Sequence, residues 1–331
     1  MHTLPLFRVS RALVGKILRA IGIGLLLLLI GLILWKPNVL RIFFILPLEC
    51  PPKCIGLRLE QQDLNGLYLS GADLSNADLT GSSLRNASLK NAKMSGAILN
   101  RTILNGSDLS SANLVGAKLV GARLIGVNLW QANLTSADLT GSALPRAVLA
   151  STRLDGVILN QANLVGGNLQ DASLQGARLV NADLRGANMD RTNLSGADLT
   201  DANVGGASLR QAILTGAKLT GWMQGTDLTR ADLRGAYLSD VDLSGAILTA
   251  ANLTGANLTG AWLDGANLSQ SNLNGVNLTG ASLTGCDLSE ADLWNADLSH
   301  AHLDGVRYSA GTRWPDNFTP PPSATLVKKN Q

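Results

Sequence analysis

The strongest constraint in this sequence is a leucine that recurs every five residues from Leu59 onward. Stepping by five from Leu59 to Leu219 gives 33 positions, and 30 of them are Leu. One residue is missing after Leu219, the frame restarts at Met223, and 16 of the 17 positions from there to Leu303 are Leu. Ala stands two residues before this position in 32 of the 50 repeats, and Asp or Asn stands directly before it in 26. The unit therefore reads A-(D/N)-L-x-x, with Gly frequent at its last position.

A period of five fits neither a helix nor a straight strand. On a helix each step of five would rotate the leucine by about 140°, and on a strand an odd period sends successive leucines to opposite faces. All of them can point inward only if the chain turns a corner in every repeat. Four five-residue sides then make a square coil of about 20 residues, with coils stacked ~4.8 Å apart by backbone hydrogen bonds. The pattern predicts an all-β solenoid with Gly favoured at the corners.

The A-(D/N)-L-x-x array resembles the pentapeptide-repeat family from Leu57 to about Tyr308. The resemblance implies a right-handed quadrilateral β-helix over residues 57–308. Many bacterial members of the family, notably cyanobacterial ones, end in a segment similar to Tyr308–Phe318. The family resemblance also implies that two copies can pair end to end as a homodimer.

The residues after the last repeat are expected to close the coil. Trp314 and Phe318 can cover the last coil, whose open edge would otherwise invite stacking, so we predict that they form a C-terminal cap. The tail from Thr319, with three consecutive Pro and two Lys, is expected to be loose.

An uncharged run before the repeats predicts a membrane anchor over residues 20–36. Ala20 to Trp35 carry no charge, and as a helix they would cover roughly 24 Å of a ~30 Å hydrocarbon core. A cleaved signal peptide is one alternative, but no small-residue cleavage site follows the run. A buried soluble helix is the other, and three Gly with five consecutive Leu favour lipid over it.

The sequence therefore divides into five parts. They are a basic segment (1–19), the anchor (20–36), a linker with a short apolar stretch (37–56), the repeats (57–308) and a cap with a tail (309–331). Four basic residues precede the uncharged run Ala20–Trp35 and three follow it, which favours a cytoplasmic N-terminus and a periplasmic or lumenal β-helix. If the apolar stretch Ile42–Leu48 formed a hairpin with the anchor, the β-helix would return to the cytoplasm. The resemblance to cyanobacterial proteins implies a plasma or thylakoid membrane.

No catalytic constellation accompanies the repeats, so we expect a protein that is not an enzyme and has no cofactor or metal. His300 and His302 stand near Asp297 and Asp304 with no Cys nearby, and two surface histidines explain them better than a metal site. The many Asp and Asn residues recur in step with the leucine and need no catalytic reason.

The three cysteines give two separate expectations. Cys50 and Cys54 lie between the anchor and the repeats, where a short disulfide loop, two free thiols and half of a metal site all stay open. Cys286 occupies the small position two residues before Leu288, which predicts a packing role.

A 20-residue register places Trp222, Asp242, Trp262, Ser282 and His302 in one column on one side of the coil. Exposed Trp on a rigid scaffold is typical of a contact surface, so Trp222, Asp242, Trp262 and His302 are predicted to form an interaction surface. Packing of the two Trp against neighbouring long side chains is the alternative interpretation.

These observations favour a membrane-tethered, non-enzymatic scaffold that binds a protein partner. The alternative is imitation of DNA, since the family includes quinolone-resistance proteins that bind DNA gyrase through an acidic rod. Here acidity is confined to residues 221–308, which carry three basic and ten acidic residues. An enzyme or a transport component is the least favoured class, and binding of nucleic acid itself is not expected.

Overall fold

The leucine period builds a square coil in the structure, a computed structural model that describes residues 53–327. The residue before each leucine position forms a parallel bridge with its counterpart one coil later, 20 residues on in most coils. Four columns of bridges start at Lys53, Arg58, Asp63 and Tyr68, and they define four sides, which we number 1 to 4 in that order. Coils are numbered from Lys53 in coil 1 to Asp292 in coil 13. The predicted square coil of stacked five-residue sides is thus confirmed.

Backbone hydrogen bonds hold the coils together in the same way in most repeats. Three N–H groups of a repeat donate to neighbouring coils and a fourth closes the corner. Around Leu74 these bonds are Leu74 to Lys93 (2.7 Å), Asn76 to Ser95 (2.9 Å), Asp78 to Leu57 (2.8 Å) and, at the corner, Ala77 to Leu74 (3.0 Å). One backbone N–H per repeat, on the residue after the leucine, is left by this scheme.

The Asp or Asn before the leucine accepts a bond from that remaining N–H. Thr80 N donates to Asp78 Oδ1 at 3.0 Å, and Thr135 N donates to Asn133 Oδ1 at 3.1 Å. A carboxylate and an amide oxygen serve equally as acceptors, which explains why the repeat uses either residue at this position. The abundance of Asp and Asn is therefore a backbone requirement.

Each corner turns through a left-handed backbone conformation. Every corner position, two residues after the leucine, has a positive φ from Gly56 to Gly305. Gly accepts this conformation without steric cost. Non-glycine residues also occupy it, as at Arg101 (φ 56°) and Ala250 (φ 57°), so the stacked coils over-determine the turn.

The interior is filled by the leucines and by the small residues two positions before them. Nearly all of these side chains are fully buried from Leu64 to Leu293. Where a hydroxyl replaces Ala, it bonds a leucine carbonyl, as Thr102 does to Leu79 (3.0 Å) and Ser142 to Leu139 (2.7 Å). Cys286 also sits at this position, fully buried. Its predicted packing role is confirmed, and burial raises the pKa of its thiol to about 12.

The missing residue after Leu219 shortens one coil without breaking the ladder. Strand β1 (Ala202–Asn203) pairs in parallel with β2 (Gly221–Trp222), with Ala202 opposite Gly221, 19 residues apart. Gly221 serves as both the corner and the small position, with φ 112°. The register confirms a tightened corner here.

Both ends of the ladder extend beyond the predicted array. The first bridge is Lys53–Asp73, because Cys54 fills the leucine position with a fully buried side chain. At the other end β3 (Arg307–Tyr308) pairs in parallel with β4 (Thr325–Leu326). The tail that the sequence predicted to be loose therefore contains a strand.

No helix within residues 53–327 is long and apolar enough to cross a membrane. The predicted basic segment (1–19), the anchor (20–36) and most of the linker (37–56) lie outside the described residues.

The short coil gives a first prediction. In Gly221→Ala the new Cβ would lie 2.8 Å from the carbonyl oxygen of Ala202, at a φ that Ala resists. We expect a loss of roughly 1–3 kcal/mol in the free energy of unfolding, measured by guanidinium denaturation. Gly216→Ala is the control, because nothing lies within 4 Å of its added Cβ. Equal effects of the two substitutions would contradict the tightened corner.

The side-chain acceptor gives a second prediction. Hydrogen bonds from the side chain and the backbone N–H of Thr80 outweigh burial and hold the pKa of Asp78 below its usual value. A lowered folded pKa contributes stability that is present above the ordinary pKa and is lost as pH falls through the folded value. Asp78→Asn should match the wild type at neutral pH and surpass it below about pH 4. Asp78→Ala should lose about 1 kcal/mol at neutral pH. Denaturant midpoints at both pH values test this, and equal pH dependence of the wild type and Asp78→Asn would contradict it.

Candidate functional site

The aromatic side chains predicted to form a surface do lie outside the coil. Trp222 is 52% exposed and Trp262 is 55% exposed. Consecutive bridges link Trp222, Asp242, Trp262, Ser282 and His302 on side 3, so the predicted column is confirmed in its register. The two Trp are two coils apart, ~9.6 Å at ~4.8 Å per coil. About half of each indole is covered, so the alternative, packing of the two Trp against neighbouring side chains, holds only in part.

The ladder fixes the backbone beneath this column. Trp262 N donates to Val241 O at 2.9 Å, and Leu243 N donates to Trp262 O at 2.7 Å. The small residue and the leucine on either side of Trp262 point into the core, since Ala261 and Leu263 are both fully buried. An outward Trp is therefore the direct result of its place before the leucine.

Asp242 lies between the two Trp and is held by hydrogen bonds. Gln224 Nε2 donates to its Oδ2 at 2.5 Å, and Ser244 N donates to its Oδ1 at 3.0 Å. Burial alone would raise the pKa of Asp242, but the bonds from Ser244 and Gln224 outweigh it and the pKa falls below its usual value. The surface thus presents a carboxylate between two indoles at neutral pH.

The acidity of this surface extends along the second half of side 3. We define distal side 3 as the residues of side 3 and its two corners in coils 8–13, from 200–206 to 299–305. This part contains five acidic residues and no Lys or Arg, the acidic residues being Asp201, Asp240, Asp242, Asp264 and Asp304. Distal side 3 therefore combines aromatic rings with a uniform negative charge.

Sequence reasoning missed Tyr237, which is 56% exposed. It stands before Leu238 on side 2, in the coil between those of Trp222 and Trp262. The same A-x-L position that exposes Trp262 could have identified it. Trp130 is also exposed, but it lies at a corner between sides 4 and 1, away from side 3.

The histidines lie at the end of distal side 3. His302 bridges Ser282 in the last coil and is exposed, and His300 occupies a corner with φ 59°. Within residues 53–327 no three His, Cys, Asp or Glu side chains are gathered as a metal site would require.

Two other predicted features can be placed only in part. Cys54 is fully buried and disulfide-bonded, whereas Cys50 lies outside the described residues, so the Cys50–Cys54 pairing stays a prediction. Trp314 stacks on Phe318 with ring centroids 5.2 Å apart. Tyr308, which the sequence did not single out, meets Trp314 edge-on at 5.7 Å. The capping role of Trp314 and Phe318 also stays a prediction.

An intramolecular contact shows how the repeat surface holds a cation. The guanidinium of Arg313 lies 4.4 Å from the ring centroid of Trp294. Its Nη1 lies 3.7 Å from an oxygen of Asp292. Indole, carboxylate and guanidinium are thus brought together on side 1. Among aromatic side chains, Trp attracts a cation over its ring most strongly.

Solved structures of several repeat proteins are similar to this chain. HetL, involved in heterocyst differentiation regulation in the cyanobacterium Nostoc sp. strain PCC 7120, is 30% identical over 82% of this chain and 95% of its own, with a TM-score of 0.27. A pentapeptide repeat protein from the Arabidopsis thaliana thylakoid lumen is 40% identical over 30% of this chain and 68% of its own, with a TM-score of 0.20. Full-length QnrB1, a plasmid-mediated fluoroquinolone resistance protein, is 17% identical over 68% of this chain and 90% of its own, with a TM-score of 0.19. No curated protein matches.

A family model gives the decisive comparison. The model of pentapeptide repeats matches eight segments of the chain, which are residues 63–101, 92–131, 132–171, 168–206, 192–221, 222–249, 251–289 and 286–307. These segments span most of the β-helix and well over half of the sequence. The chain therefore belongs to the pentapeptide repeat family, whose members form repeat β-helices.

Proposed function

We propose that this protein is a non-enzymatic binding module, whose contact surface is the part of distal side 3 that bears Trp222, Asp242 and Trp262. The observation that carries the proposal is the half-exposure of two indoles on a backbone that the ladder fixes. Trp is among the residues that contribute most to protein–protein affinity when a partner buries it.

The rigidity of the β-helix supports this function. The side chains at Trp222, Asp242 and Trp262 keep their spacing because each coil is bonded to the next through its backbone. Little backbone ordering is then required on binding, so more of the interaction energy appears as affinity. The Tyr237 side chain, on the neighbouring side, can enlarge the surface.

Imitation of DNA is less well supported than protein binding through the indoles. A duplex mimic needs negative charge along its length, whereas side 3 contains no Asp or Glu in coils 2–6. Exposed Arg residues, including Arg85, Arg101 and Arg123, occupy the same side in coils 2–4.

We also propose that residues 20–36 tether the module to a membrane, with the β-helix on the periplasmic or lumenal side. The uncharged run and its basic flanks support this proposal.

Loss of the indoles should weaken binding. We expect Trp222→Ala/Trp262→Ala to weaken the capture of protein partners from extracts of the source cells by roughly tenfold or more, because each truncation removes a buried contact in the complex. The measurement is quantitative mass spectrometry of proteins held by the tagged full-length chain in mild detergent. Trp130→Ala is the matched control, since Trp130 is also exposed but lies away from side 3. Partners retained equally by the double variant and the control would refute this assignment of the surface.

The tether makes a separate prediction. The full-length chain should stay in the membrane fraction through high-salt and carbonate washes, because burial of apolar residues 20–36 does not depend on charge. Release by salt would show a peripheral attachment instead. In sealed right-side-out vesicles, protease should remove an epitope placed after Gln331. Protection of that epitope would place the β-helix in the cytoplasm.

A further inference from the structure

Side 3 is divided by charge along the stack of coils. We define proximal side 3 as side 3 and its corners in coils 2–6, from 80–86 to 160–166. This part contains no Asp or Glu and four basic residues, Arg85, Arg101, Arg123 and Arg146, all exposed. Distal side 3 has the opposite composition, with its five Asp and no basic residue. The other three sides mix both signs along their length.

Within residues 53–327 these charged side chains are not neutralised by ion pairs. In coils 2–13 the ion pair that lies on side 3 is Arg185–Asp183, at 2.7 Å. It belongs to coil 7, between the proximal and distal parts. The four proximal arginines and the five distal aspartates form no ion pair in the described part of the chain. From coil 2 to coil 13 side 3 is therefore positive, neutral and negative in turn, while coil 1 carries Glu60 and Asp63.

Between coil 2 and coil 12, a surface with this order of charge is complementary to its own reverse. A two-fold axis across side 3 at coil 7 places coil 10 of one copy opposite coil 4 of the other, and coil 11 opposite coil 3. Asp242 then faces Arg123 of the other copy, and the neutral Arg185–Asp183 pairs meet at the axis. Such an interface brings opposite charges together twice.

Shape agrees with charge in this arrangement. Trp262 in coil 11 faces Ile103 in coil 3, and Trp222 in coil 9 faces Ala143 in coil 5. Each large indole thus meets an apolar residue of smaller volume in the other copy. Aromatic residues packed on apolar ones, with charge pairs beside them, are typical of protein interfaces.

The contact of Arg313 with Trp294 and Asp292 supplies a local precedent. There the chain places a guanidinium over an indole and beside a carboxylate. Arg123 of a second copy would meet the same two groups at Asp242, which lies between Trp222 and Trp262.

We infer that two copies of this chain pack antiparallel through side 3, with the proximal part of each copy bound to the distal part of the other. This inference rests on the proposed function, because it names the partner of the same surface.

Charge reversal of each part separately tests the inference. We expect the full-length chain in detergent to be dimeric by sedimentation equilibrium at low ionic strength, with weaker association as salt screens the pairs. Arg101→Asp/Arg123→Asp and Asp240→Arg/Asp242→Arg should each weaken self-association roughly tenfold or more. Mixing the two variants should restore a heterodimer, since each variant then meets its complement.

The substitutions use residue types that the same repeat positions already carry. Arg occupies a corner at Arg230 and the position before leucine at Arg178, while Asp does so at Asp171 and Asp78. Arg178→Asp/Arg230→Asp is the matched control, because it makes the same charge change at equivalent positions away from side 3. The control should dimerise like the wild type, and circular dichroism checks that every variant is folded.

Three outcomes would overturn the inference. The first is a wild type that is monomeric at low salt. The second is a dimer that both charge reversals leave intact, as expected for an end-to-end or anchor-mediated dimer. The third is a failure of the two mixed variants to associate. A monomer that still captures a different protein through Trp222 and Trp262 would leave the proposed function intact. Retention of that capture after loss of both indoles would instead refute the proposed function.

Discussion

The structure depends on a backbone turn of positive φ in every fifth residue. This turn directs the leucine and the small residue of each repeat inward and returns the chain to the same place after four sides. The hydrogen bonds between coils are then in register wherever the turn recurs, including at non-glycine corners such as Ala250. A single repeat cannot stabilise such a corner alone, so the conformation persists because neighbouring coils fix it on both sides.

The same geometry decides which side chains are free for function. The inward positions are committed to packing, and the Asp or Asn before a leucine is committed to the N–H that the ladder leaves. Where Trp or Arg takes that place, the side chain is exposed, as at Trp262 and Arg123. Departures from the consensus are therefore the residues through which this fold distinguishes one member from another.

Side 3 concentrates such departures. Its indoles and five aspartates lie in coils 8–13 and four arginines in coils 2–6, with the Arg185–Asp183 ion pair between these two parts. Because the ladder is rigid, these groups are displayed as a fixed linear pattern rather than as a mobile set. A partner binds such a surface best when its own charges lie opposite those of the coils they contact. The order of charge along the coils can therefore favour one orientation of the partner over the other.

The sequence by itself determined the square coil, its 20-residue register and the column from Trp222 to His302, because a five-residue period admits one way to bury every leucine. It also indicated the shortened corner at Gly221, since the frame is visibly broken there. Only the tertiary structure decided how far the indoles protrude, that Cys54 fills a leucine position and that Thr325–Leu326 pairs with Arg307–Tyr308. The exposure of the indoles and the pairing of the last two strands depend on contacts between residues far apart in sequence. The five-residue period does not predict these contacts. The division of side 3 required the same knowledge, because residues 20 apart become neighbours only when the coils stack.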